Sequence, residues 1–217
     1  MQGINSIKQK DFMKRIYFIL IIIAAVSFNS CIKNDPVIWE GSVVELDAAI
    51  WNANAAGLPF PILTRVPAAN RALSTACPDS TLRRYPQTIR IRVNLVGAQS
   101  GKDISVSYEI FNSPITTVAF PATIAANAGA GCPTAQTPAA SAATLTVSDA
   151  VAGTHFTALS GTTVIPANSS FGYIDIPILN PGPTAGAARF IGIRLKDNEN
   201  VKVSVNYREA GFVIDQR

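Results

Sequence analysis

The chain has 217 residues, 48 % of them hydrophobic and only 15 % charged, with a formal net charge of +4 at neutral pH. Lys8, Lys10, Lys14 and Arg15, set against Asp11, put most of that excess before Cys31, so the remainder carries about +1. That balance leaves no basic face for nucleic acid. The apolar content suffices for the core of a single domain.

The first element is an address. Met13-Lys14-Arg15 is a short cationic stretch, and Ile16 to Phe28 is an uncharged, mostly apolar run of 13 residues. Spanning a bilayer takes about 20 apolar residues in a helix, so this run reads as a secretory signal and not a permanent anchor. Met13 is a second candidate start, because residues 1–12 add nothing such a signal uses. Ser30-Cys31 then resembles the end of a bacterial lipobox, where a small residue precedes a cysteine that becomes lipidated. Phe28 and Asn29 depart from the usual Leu and Ala or Ser. The expectation is cleavage before Cys31 and acylation of that cysteine with chains such as palmitate. Each buried CH₂ contributes ~0.8 kcal/mol, so two or three acyl chains give stable attachment to a lipid bilayer. Residues 1–30 are thus signal peptide, 31–37 the lipidated cysteine and tether, and 38–217 one domain.

Cys77 and Cys132 are the other cysteines. Beyond the inner membrane thiols can pair. A bridge between them would close about 55 residues, contributing on the order of 4 kcal/mol in the chain-entropy account. Two free thiols in loops are the alternative.

From residue 42 onward the signal is period two. Ser42 to Asp47 is a first strand. Ile89, Ile91, Val93 and Leu95 alternate with Arg90, Arg92 and Asn94, as a half-buried strand should. Gln99 to Lys102 turns, and Ile104, Val106, Tyr108 and Ile110 alternate again, predicting a hairpin. Asn70 to Arg84 and Asn112 to Ala142 have no period and read as two long loop insertions. Leu145 to Val147 resumes β structure. Thr162 to Ile165 and Phe171 to Leu179 predict a second hairpin across Pro166 to Ser170, with Ile174, Ile176 and Ile178 inward. Pro177 marks an edge or a bulge, since it cannot donate to a ladder. Ile191 to Leu195, Val201 to Val205 and Gly211 to Ile214 complete an all-β antiparallel sandwich of about seven strands.

Two groups of residues carry a resemblance. Ala152-Gly153-Thr154-His155-Phe156, followed by Gly161 to Ser170, resembles the heart of a Calx-beta-type, immunoglobulin-like sandwich. Val93 to Gln99 and Val201 to Tyr207 resemble short, uncharacterised lipoproteins of Bacteroidota, commonly encoded beside starch-utilisation-type outer-membrane import systems. The resemblance implies an outer-membrane lipoprotein facing the periplasm or the cell surface. Calx-beta domains that hold calcium use clustered carboxylates. Here His155 stands where the segment's Asp would be, and Asp149 and Asp197 have no acidic cluster around them, so fold without metal is expected.

The chemistry is sparse. His155 is the only histidine, and no Gly-x-Ser-x-Gly elbow accompanies it, so it reads as part of the turn before a strand. The ligand inventory for zinc is missing. Glu40, Glu45, Asp47 and Glu109 are formal candidates for a glycosidase pair, but surface charge on strands accounts for them. Trp39, Trp51, Phe60 and Tyr85 are candidates for a sugar-stacking platform or for core packing, with packing favoured. Asp79-Ser80-Thr81 resembles a Bacteroidota O-glycosylation site. Arg83, Arg84 and Tyr85, at the end of the first insertion, are the candidate ligand-binding residues, since recognition on a β scaffold usually sits in loops. Strand capping by the two arginines is the plainer alternative. No enzyme activity, cofactor or metal is expected. The reading is a binding or accessory module of the envelope near glycan import, with glycan or import proteins as partners. The alternative is a structural adhesin or envelope-assembly protein without a small ligand.

Overall fold

A computed structural model describes residues 41–47, 57–65, 81–122 and 140–217, all within the unit Trp39–Arg217. The signal segment, Cys31, Cys77, Cys132, Trp39, Glu40, Trp51, Asp79 and Ser80 lie outside the described residues.

Among the described residues every regular element is a strand: β1 (Val43–Leu46), β2 (Ile62–Leu63), β3 (Gln87–Val96), β4 (Ile104–Phe111), β5 (Thr117–Phe120), β6 (Ala143–Asp149), β7 (Thr162–Ile165), β8 (Phe171–Ile178), β9 (Ala187–Lys196), β10 (Lys202–Val203) and β11 (Glu209–Asp215). They form two sheets. One has the order β10-β1-β3-β8; the other runs β2-β11-β9-β4-β7, with β6 paired to β9 and β5 to β6. Most pairs are antiparallel, as expected of the sandwich. Three are parallel, β1 with β10, β2 with β11 and β6 with β9.

Alternation delivers the core. Ile89, Ile91, Val93 and Leu95 of β3, and Ile174, Ile176 and Ile178 of β8, meet Val106 of β4, Ile191, Ile193 and Leu195 of β9, and Phe212 and Ile214 of β11. A second cluster sits on the opposite face of the seven-stranded sheet. There Ala188 and Phe190 of β9 and Val213 of β11 pack with Phe60, Ile62, Phe120, Leu145 and Val147.

Three expectations need correction. Among the described residues there are eleven strands where about seven were expected, and two of them, β2 and β5, come from stretches without period. The insertion from Asn112 to Ala142 is therefore not all loop: Thr117–Phe120 folds back onto β6. Neither predicted hairpin forms. β3 pairs with β1 and β8 while β4 pairs with β7 and β9, so residues 97–103 cross from one sheet to the other. Residues 166–170 likewise connect β7 and β8 across the two sheets. In both arches the strands turn apolar faces toward a shared core, which satisfies the same alternation a hairpin would. Pro177 does lie on an edge strand, β8, opposite Thr88.

Candidate ligand-binding site

The stretch 83–85 folds inward. Arg83, Arg84 and Tyr85 are 2 %, 8 % and 9 % exposed. Arg84 donates from Nε to the Arg217 carbonyl at 3.2 Å and from Nη1 to Asn180 Oδ1 at 2.8 Å. Both guanidiniums lie over the Tyr85 ring, at 5.6 Å for Arg83 and 4.7 Å for Arg84. The Arg83 backbone bridges to Asp215 of β11, and Thr81, also buried, bridges to Arg65. The Arg84 side chain and the backbone of residues 82–84 thus tie the segment before β3 to residues 215–217. Phe60 is interior as well, its ring edge-on to Phe111 with centroids 5.2 Å apart.

His155, 7 % exposed, accepts the Val151 N–H at Nδ1 over 2.9 Å, while its own carbonyl accepts from the Leu179 N–H. Burial, and next the charge of Arg189, push its pKa below the ordinary value. The surrounding turn is closed by the Ala152–Phe156 bridge. Asp149 Oδ1 accepts the Ser113 N–H at 2.6 Å, and Asp197 Oδ1 accepts the Val203 N–H at 2.8 Å with Lys202 3.6 Å from its other oxygen. Each carboxylate thus ties down a loop. Among the described residues no group of three or more His, Cys, Asp or Glu side chains gathers as a metal site would. Glu45 and Asp47 belong to the β1 side of the four-stranded sheet, and burial first, then the charge of Asp47, raises the Glu45 pKa. Glu109 belongs to the other sheet, where hydrogen bonds from Lys196 and Arg194 lower its pKa. The described members of the glycosidase candidates are therefore split between sheets.

The chemistry that reaches solvent lies elsewhere, where β8 runs beside β3. Period two puts Ile174, Ile176 and Ile178 in the core and leaves Phe171, Tyr173, Asp175 and Pro177 on the outer face. Across the ladder Arg90 opposes Asp175 and Arg92 opposes Tyr173. Arg90 holds Asp175 by a two-pronged pair, Nε to Oδ1 at 2.7 Å and Nη2 to Oδ2 at 2.8 Å. That bond raises the Arg90 pKa further. Arg90 also lies over the Tyr173 ring at 5.0 Å, and Arg92 over Phe171 at 4.2 Å. The two rings meet edge to face at 5.5 Å. Tyr173 remains 43 % exposed.

Beside this row opens a groove of about 260 Å³, bounded by β8 at Tyr173 and Asp175 and by the 157–163 segment with Thr157, Ser160 and Thr163. The Thr163 hydroxyl donates to the Tyr173 carbonyl, fixing one wall to the other. Sequence reasoning followed the isoleucines of β8 and passed over its outer face. The signal was there: two aromatics and a carboxylate at alternate positions, on the side the core does not need.

No family model matches the chain, and no curated protein matches it. Among solved structures it is similar to the apo-form Calx CBD1 domain, at 20 % identity and TM-score 0.35 over 59 % of this chain and 80 % of that one. It is also similar to CBD12 from CALX1.2, at 19 % identity and TM-score 0.36 over 58 % of this chain and 37 % of that one. A third similar structure is a protein of Bacteroides ovatus provisionally assigned as carbohydrate binding, at 10 % identity and TM-score 0.37 over 61 % of this chain and 32 % of that one.

Proposed function

We propose that the chain is a non-enzymatic lipoprotein of the outer membrane whose β-sandwich binds glycan as an accessory to nutrient import. The address rests on the sequence, on the apolar run that ends at Cys31. The binding role rests on one observation above all, the outer face of β3 and β8. There an exposed ring and a charged, hydrogen-bonding pair lie side by side on rigid strands. The tyrosine is half-exposed and borders a groove, which leaves part of its ring available to a ligand. Strands hold such groups more rigidly than loops do, which lowers the ordering cost of binding.

The experiment is a glycan array probed with the full-length chain extracted in a polyoxyethylene detergent, with Cys31→Ser processed alongside. The reading expects retention on a restricted set of glycans, and an unprocessed precursor or a soluble product from Cys31→Ser, without labelled fatty acid. Absence of binding across the array would remove the glycan role; incorporation of labelled fatty acid by Cys31→Ser would remove the lipid anchor.

A further inference from the structure

We propose that Tyr173, with the Arg90–Asp175 pair beside it, is the floor of a subsite for one neutral pyranose ring. The proposal rests on the glycan-binding reading above and gives it a place and a ligand class. Charge decides the class. Of the groove's lining residues only Asp175 has an acidic or basic side chain, and Arg90 bonds both its oxygens. An acidic ligand would meet that carboxylate at its closest approach to Arg90. A cationic ligand would meet Arg90. A neutral polyol meets neither penalty, and its hydroxyls can donate to the remaining lone pairs of the Asp175 carboxylate, a charged acceptor that forms the stronger hydrogen bonds.

Shape agrees with charge. Arg90 covers one face of the Tyr173 ring while nearly half of the residue stays exposed beside the groove. A pyranose presents an apolar face of C–H groups that suits an aromatic surface, with hydroxyls around its rim. At about 260 Å³ the groove lies below the ~300–1,000 Å³ of pockets that enclose drug-sized ligands. One ring fills it, and a longer glycan continues over the sheet face. The wall is fixed in advance, because Thr163 is bonded to the Tyr173 carbonyl and Ser160 Oγ donates to the Thr162 carbonyl.

Isothermal titration of the full-length protein in the same detergent tests this. The probes are gluco-, xylo-, manno- and galacto-oligosaccharides, with oligogalacturonate as the acidic comparison. The expectation is binding of at least one neutral series and not of the uronate. Tyr173→Ala should then weaken binding by about tenfold or more, as loss of a buried aromatic contact implies. Tyr173→Phe, which keeps the ring, should stay within about twofold of the native protein. Tyr207→Ala, a half-exposed tyrosine outside the groove, should bind as the native protein does. Thermal melts establish that each variant is folded. Neutral-glycan binding that survives Tyr173→Ala intact would overturn the subsite and leave the glycan reading standing. Preference for the uronate would overturn the ligand class. Failure of every probe to bind would bring down both.

Discussion

His155 accepts a backbone proton at Nδ1, so its turn is built for the neutral imidazole. The folded pKa is depressed below the ordinary value of 6.5, chiefly by burial. The unfolded chain therefore takes up a proton that the folded one resists. This contribution to stability is fully present above the unfolded value and is lost as pH falls below it. The urea midpoint should hold from pH 8 to 7 and then decline toward pH 5.5. His155→Gln should flatten that decline; an equal slope in the variant would assign it to other groups. The turn role of His155 was legible, because Gly153 and Thr154 flank it in sequence. The fate of Arg84 was not. Its partners lie at Asn180 and Arg217, far beyond any local window, and an arginine before a strand looks the same whether it faces solvent or is folded under.

At the scale of elements, alternation told which face of each strand is buried but not which strand lies beside it. A hairpin and an arch ask the same pattern of Ile104 to Ile110, and loop length alone did not separate them. The arch between β7 and β8 leaves a specific mark. A methyl group on Gly172 would collide with the Val164 carbonyl, because the two strands pass closely where the sheets meet. Gly172→Ala should therefore destabilise by about 1–3 kcal/mol, the usual cost of overpacking, measured by chemical denaturation. A neutral or stabilising result would mean that the strands separate freely there. Gly101→Ala, with open space around it, is the control. β5 escaped notice for a related reason: Thr117–Phe120 has four residues, too few for a period to declare itself against the surrounding Ala, Pro and Thr.

Across the whole molecule, the seven-stranded sheet is buried on both faces along part of its length. β9 carries the arrangement, with Ile191, Ile193 and Leu195 in the main core and Ala188 and Phe190 in the outer cluster. The Phe111 ring lies edge-on to Phe190 at 5.7 Å, and Arg194 covers Phe111 at 4.8 Å while bonded to Glu209 and Glu109. Phe190→Ala should cost about 3–5 kcal/mol, as expected for a buried aromatic. Hydrogen exchange should show the β5–β6 amides losing more protection than those of β3 and β8. Uniform loss would mean that the two clusters unfold as one unit. The main core was legible in the sequence, strand by strand. The outer cluster was not, because Phe60, Phe120 and Phe190 come from three separate stretches and only the fold stacks them on one face.

Two of the three parallel pairings have a consequence for how a chain exported as proposed above, first residue foremost, would assemble. β1 waits for β10, and β2 waits for β11. β9, antiparallel to β4 on one side, gains its second antiparallel partner only with β11, which also brings Ala210, Phe212 and Ile214 into the core. Until residues 202–215 have crossed, the four-stranded sheet lacks a border strand and the seven-stranded one lacks an interior strand. β1 thus has β3 alone and β2 has no ladder partner during transit, and the fold closes only when its far end arrives.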